Sequence, residues 1–216
     1  MGRRFSILRD YYEDDKFIYD KSSVTLQPGL TVLVGCNGSG KTTLLHQIEH
    51  KCKVDNIPVL SYDNLKQGGE NARQKYLWYG LMDDLLSNTI SSEGERIVQN
   101  FSEQAREIGA FVQQHKQEKE LFALIDAIDS GMSVDNIVEL KQQFLYFVID
   151  DCKKLGIDMY FVISANEYEL CRGENCLNVQ TLKYRKIKSY ETYRKLIINS
   201  RRKKNVRYGW GEFEYK

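Results

Sequence analysis

Residues 35–43 read Gly35, Cys36, Asn37, Gly38, Ser39, Gly40, Lys41, Thr42 and Thr43, and fit the pattern G-x-x-x-x-G-K-[ST]. Each residue type in it suits a chain of phosphates. Glycines let the backbone curl until several N–H groups face inward toward anionic oxygens. Lys41 sets a positive charge against the β- and γ-phosphates, and the Thr42 hydroxyl is a ligand for Mg²⁺. A helix starting at the lysine adds the positive end of its dipole. The chemistry implied is binding of a nucleoside triphosphate with magnesium. Asn37, Gly38, Ser39, Gly40, Lys41, Thr42 and Thr43 are the contacts.

Such a loop works only when held between a strand and a helix. Leu30, Thr31, Val32, Leu33 and Val34 form a short β-branched run just before it, following a turn at Pro28 and Gly29. Residues 42–51 read as the helix. Further along, strands are expected over residues 4–9, 16–19, 57–62, 121–125 and 159–164. Helices are expected over 72–89, 95–119 and 134–152, with a Gly68–Gly69 turn and a polar break at residues 91–95. Ile97, Phe101, Ile108 and Val112 recur at helical spacing. Strands alternating with helices imply an α/β sheet with parallel central strands.

Several later segments extend the pattern. Leu121, Phe122, Ala123, Leu124 and Ile125 form an apolar strand that ends in Asp126, followed by Ala127, Ile128, Asp129, Ser130 and Gly131. Ser91, Ser92, Glu93, Gly94 and Glu95 open a helix about fifty residues after the loop; Ser92 with Glu95 also makes a capping box. Val162, Ile163, Ser164, Ala165 and Asn166 form a further strand and its exit. Together with Asn37, Gly38, Ser39, Gly40 and Lys41, these segments resemble the ABC-type P-loop ATPases, in the branch that includes SMC and DNA-repair proteins. The resemblance implies a P-loop NTPase fold, an ABC-type nucleotide-binding domain with a small helical subdomain. It makes Asp126 the Walker B acid that reaches Mg²⁺ and residues 126–133 the turn after it. It makes Ser92 and Gly94 signature residues closing on the γ-phosphate held by a second subunit, so an ATP-dependent homodimer is expected. Gln67 is the nearest fit to the family's magnesium-contacting glutamine. ATP, rather than GTP, is inferred from the resemblance, since no base-reading motif is visible.

Two positions depart from the family. Ala127 stands where a glutamate normally polarises the attacking water, and Asn166 stands at the switch histidine. Alanine cannot orient water, and asparagine hydrogen-bonds without taking a charge. Loss of such a group costs a factor of about 10² to 10⁴ in rate. Three readings stand: a natural slow ATPase that acts as a switch, a replacement carboxylate such as Asp129 or Glu93, or an engineered Ala127 that traps ATP. The first is favoured because trapping would not explain Asn166. The alternative is an active DNA- or RNA-associated ATPase with a trapping Ala127.

Other candidates are weaker. Tyr11, Tyr12 and Phe17 precede the loop and could stack on a base. His46, Glu49 and His50 match H-x-x-E-H, but they lie on the helix leaving the loop and have no third ligand. Tyr76, Trp78 and Tyr79 read as packing. The segment between the loop and residues 91–95 is too short for a long coiled coil.

Composition sets the frame. The chain has 216 residues, 42% of them apolar, and a net charge of +1. No run of about 18 apolar residues occurs, so no membrane span is expected. Charges at Arg3, Arg4, Arg9, Asp10, Glu13 and Asp14 argue against a secretory signal. Five cysteines, with no Cys-x-x-Cys, fit a reduced, cytoplasmic protein. From residue 183 to 207 eleven Lys or Arg face one acid, Glu191. That segment reads as a solvated helix or as a surface for nucleic acid or an acidic partner. The expected organisation is a nucleotide-binding domain over 1–182, with a helical insert at about 70–119, and a basic C-terminal segment over 183–216. A partner protein, held and released with the nucleotide, is a further expectation.

Overall fold

The computed structural model describes residues 2–9, 16–63, 105–129 and 132–211. Expectations for the turn at Gly68, the aromatic segment, most of the helical insert, and Gln67, Ser92 and Gly94 lie outside them.

β1 (Arg3–Ser6) and β2 (Ser23–Leu26) pair antiparallel as a small sheet of their own. The main sheet has six strands: β3 (Gly29–Val34), β4 (Val59–Asp63), β5 (Glu120–Asp126), β6 (Asp158–Ser164), β7 (Asn175–Asn178) and β8 (Lys183–Lys186). Their order across it is β4-β5-β6-β3-β7-β8. All neighbours run parallel except β7 and β8, so the protein is mixed α/β with a mostly parallel sheet. α1 (Lys41–Val54) leaves the glycine-rich loop. α2 (Val134–Glu139) and α3 (Tyr146–Lys154) are joined by a π-helical stretch, Leu140–Leu145. α4 (Tyr168–Cys171) is one turn, and α5 (Tyr190–Tyr208) closes the described chain. Residues 105–114 are also helical.

The central strands are apolar throughout because both faces are covered. On one face Val32, Val34, Ala123, Ile125, Phe161 and Ile163 pack with Ile108, Val112, Leu140, Leu145 and, from α5, Tyr193 and Leu196. On the other, Leu33, Phe122, Leu124, Tyr160 and Val162 meet Leu44, Leu45 and Ile48 of α1 and Phe5, Val24 and Leu26 of the small sheet. Phe122 stacks on Tyr160, with ring centroids 4.3 Å apart and planes within 4°.

Residues 16–19 are not a strand. Two of their side chains hold the segment against the glycine-rich loop: Ile18 and Tyr19 are buried, and the Tyr19 hydroxyl donates to the Gly40 carbonyl at 2.8 Å. The expected helix over 134–152 is interrupted by the π stretch, which turns Leu140, Lys141 and Leu145 inward together. Lys141 then reaches Glu174 at 2.7 Å and donates to the Arg172 carbonyl at 2.7 Å. A buried ammonium needs such partners. β2, β7 and β8 have no counterpart in the sequence reading: each is only four residues long, and β7 and β8 show little apolar alternation. Residues 183–208 are integral to the main sheet and its covering layer: β8 pairs with β7, and α5 buries Tyr193, Leu196, Ser200 and Asn205.

Among the described residues no helix is long and apolar enough to cross a membrane.

Candidate functional site

β3, β5 and β6 all end at the same edge of the sheet. Ligand crevices in open α/β sheets form beyond the carboxyl ends of strands. Here that edge carries a cleft of about 490 Å³, within the range of small-molecule sites. Lys41, Thr42, Thr43, Asn37, Gly38 and Gly40 line it, and so do Asp126, Ala127, Ser164 and Asn166 from the exits of β5 and β6. Segments far apart in the chain thus converge on one space. Ile18 and Tyr208 complete the lining.

The loop's glycines answer local demands. Gly38 and Gly40 have φ of 70° and 97°, in the left-handed region that side chains avoid. A Cβ on Gly40 would also lie 2.6 Å from Ile18 Cγ2. Lys41 donates to the Gly35 carbonyl at 2.9 Å, which folds its side chain back over the loop. Burial lowers the Lys41 pKa, against the raising effect of Cys36, Asp126 and Asp129. Ser39 points beneath the loop: it is buried, and its hydroxyl makes no hydrogen bond among the described residues. It does not line the cleft, so what it offers a ligand is its backbone.

The Asp126 carboxylate is clamped from two sides. Its Oδ2 accepts from the Thr42 hydroxyl at 2.5 Å, and its Oδ1 accepts from the Ser164 hydroxyl. Ser164 Oγ in turn accepts from the Ala127 N–H at 2.8 Å. Ser164 thus sets the direction of the acid and the turn after it. The parallel register that pairs Ile125 with Ile163 brings the next residues, Asp126 and Ser164, side by side. Ala127 has φ of 52°. This left-handed conformation costs a residue with a Cβ about 1–2 kcal/mol.

Asn166 reaches the cleft from a loop that is itself held. Its N–H and that of Glu167 both donate to Asp129 Oδ2 at 2.7 Å, and its carbonyl accepts from the Tyr193 hydroxyl at 2.5 Å. Asp129 is 1% exposed and does not line the cleft. Burial raises its pKa, partly offset by the Glu167 and Asn166 N–H groups. Its carboxylate therefore orients the loop from beneath and not from the cleft. Among the described residues, Asp126 is the one carboxylate lining the cleft.

α5 buttresses the site at several points. Cys36 N–H donates to Ser200 Oγ at 3.0 Å, and Lys204 Nζ to the Asn37 carbonyl at 3.1 Å. Arg207 donates to the Ile18 carbonyl at 2.6 Å, and Lys203 pairs with Asp20. Tyr208 and Ser164 are site residues that sequence reasoning missed. The register of β5 and β6 could have found Ser164; nothing in the sequence pointed to Tyr208. Of the aromatic residues singled out before the loop, Tyr11 and Tyr12 lie outside the described residues. Phe17 is 49% exposed, with the Arg9 guanidinium 4.0 Å from its ring centroid, and does not line the cleft.

Thr42 and Asp126 offer a hydroxyl and a carboxylate side by side. That donor set suits Mg²⁺, which takes one or two protein oxygens and otherwise keeps water and phosphate. Among the described residues no group of three or more His, Cys, Asp or Glu could hold a metal ion.

Compared with protein-family models and with curated proteins, the chain matches none.

Proposed function

We propose that this chain is a P-loop ATPase of the ABC type that binds MgATP, hydrolyses it slowly, and uses it as a switch for pairing two copies. The observation that carries the reading is the contact of Thr42 with Asp126 at the wall of a cleft that Lys41 also lines. It brings together a loop and a strand end separated by 84 positions, in the combination a magnesium–triphosphate requires.

In this mechanism Lys41 exchanges the Gly35 carbonyl for phosphate oxygens, and the backbone N–H groups of the loop take the rest of the charge. Thr42 and Asp126 would hold a magnesium ion, which would supply positive charge against the β- and γ-phosphates. Ser164 keeps Asp126 aimed. Slow turnover is read from the other described walls, Glu93 lying outside the described residues. Asp126 is committed to Thr42 and Ser164, Ala127 presents a methyl group, and Asn166 presents an amide. None of these takes a proton from water. The bound triphosphate therefore persists, which fits a switch better than a pump.

Titration calorimetry with MgATP tests the reading. Wild-type protein is expected to bind, and Lys41→Ala to bind at least tenfold more weakly, since a charge-assisted contact to phosphate is worth about 1.5–3 kcal/mol. Equal affinity in the two proteins would remove the site.

A further inference from the structure

Most of the cleft wall is polar or glycine, as phosphates require. Apart from the Ala127 methyl group, two side chains are different, and both are large: Ile18 and the ring of Tyr208. Tyr208 is the last residue of α5 and lies 166 positions beyond Thr42, yet it lines the same space. We propose that Tyr208 is the platform on which the nucleobase stacks, so that the base is read by the C-terminal helix. This rests on the triphosphate reading of the cleft and adds to it the part of the ligand that the loop cannot recognise.

The ring is fixed in place before any ligand arrives. Its neighbour Arg207 is tied to the Ile18 carbonyl, which joins the two non-polar walls to one another. Gly209, with φ of 68°, turns the chain back, and the Trp210 N–H donates to the Asn205 carbonyl at 2.9 Å. That turn stacks the Trp210 ring on Tyr208, with centroids 5.3 Å apart and planes 28° from parallel. A preorganised ring loses little entropy on binding. Lys16 Nζ lies 5.1 Å from the Tyr208 centroid. A face that attracts a cation also accepts a base, which would take the place of the Lys16 ammonium over the ring. Phe17, the aromatic residue nearer in sequence to the loop, has its ring under Arg9 and is not a cleft wall. Stacking depends on ring area and tolerates the identity of the base. The platform therefore favours purines over pyrimidines and does not separate adenine from guanine.

The test uses the full chain and compares MgATP, MgGTP, MgUTP and magnesium tripolyphosphate by calorimetry. Tripolyphosphate engages the loop without a base. Tyr208→Ala is expected to weaken MgATP and MgGTP by about tenfold to a hundredfold and to leave tripolyphosphate unchanged. Tyr208→Trp is expected to bind MgATP as wild type does, and wild type to prefer both purines to MgUTP. Unchanged MgATP affinity in Tyr208→Ala overturns the proposal while leaving the triphosphate site standing. An equal loss for tripolyphosphate overturns it too, since the ring would then act on the loop. If wild type binds neither tripolyphosphate nor MgATP, the underlying reading falls with it.

Discussion

Lys41 sits among groups that make its charge dependent on what it faces. Burial lowers its pKa, and its ammonium donates to the Gly35 carbonyl. Phosphates raise that pKa again. Binding above the lowered value therefore takes up a proton, and MgATP affinity is expected to fall as pH rises from there toward the ordinary lysine range. Calorimetry in buffers of different ionisation enthalpy counts the proton. No uptake at any alkaline pH would contradict the argument. The same shift bears on the ligand-free fold with a definite sign. A lysine with a depressed folded pKa withholds stability at low pH, and the stability returns as pH rises through the folded value to the unfolded one. Ala127 carries strain of another kind. Ala127→Gly is expected to stabilise the protein by about 1 kcal/mol, a rise in Tm of about 2–4 °C. A lower Tm would show that the methyl group earns its place by packing. At this scale the sequence was most legible where chemistry demands a residue at a fixed spacing. Lys41, Thr42 and Asp126 could be singled out because a glycine-rich loop and an acid at a strand end are local patterns, and the three line one cleft. The burial of the Ser39 side chain was not legible, because spacing cannot tell a side chain that lines a cleft from one that does not.

α5 shows what a pattern of charges conceals. The inward residues are Tyr193, Leu196, Ser200 and Asn205, so half of the buried set is polar, and periodicity of apolar residues finds little. The helix is nevertheless firmly docked, through hydrogen bonds to backbone groups that no composition reveals. Arg207 and Lys204, counted in the sequence among the charges of a basic segment, spend theirs on the Ile18 and Asn37 carbonyls. Ser200→Ala leaves the buried Cys36 N–H without its acceptor. It is expected to cost about 1–3 kcal/mol in denaturant unfolding and to weaken MgATP binding, because Cys36 belongs to the loop. Arg202→Ala, on the exposed side of the same helix, is expected to stay within about 0.5 kcal/mol of wild type. A similar loss in both would mean that the helix acts through its charge and not through the Ser200 contact. Strands were legible in proportion to burial. β3, β5 and β6 are continuous apolar runs between covered faces, whereas β7 and β8 are short and follow one another through a turn at Leu182, whose φ is 48°.

The whole molecule places its cleft at one edge of a sheet covered on both faces, with the loop, the β5 exit and the β6 exit meeting there. The proposed pairing would have a second copy meet the nucleotide at that edge. In solution the mass measured by light scattering is expected to double with MgATP and to stay monomeric without nucleotide. An unchanged mass with nucleotide bound would overturn pairing while leaving the cleft intact. The contacts that finish the cleft also span nearly the whole chain: Cys36 with Ser200, Asp20 with Lys203, and Ile18 with Arg207, at separations of 164, 183 and 189 residues. Synthesis runs from the amino end at about 5–20 residues per second. The loop thus leaves the ribosome roughly 10–30 s before the helix that braces it. Until residue 207 has emerged, a growing copy has Lys41 and Thr42 but no brace behind them, so under the proposed function nucleotide would grip copies that carry α5 in preference to those that do not yet.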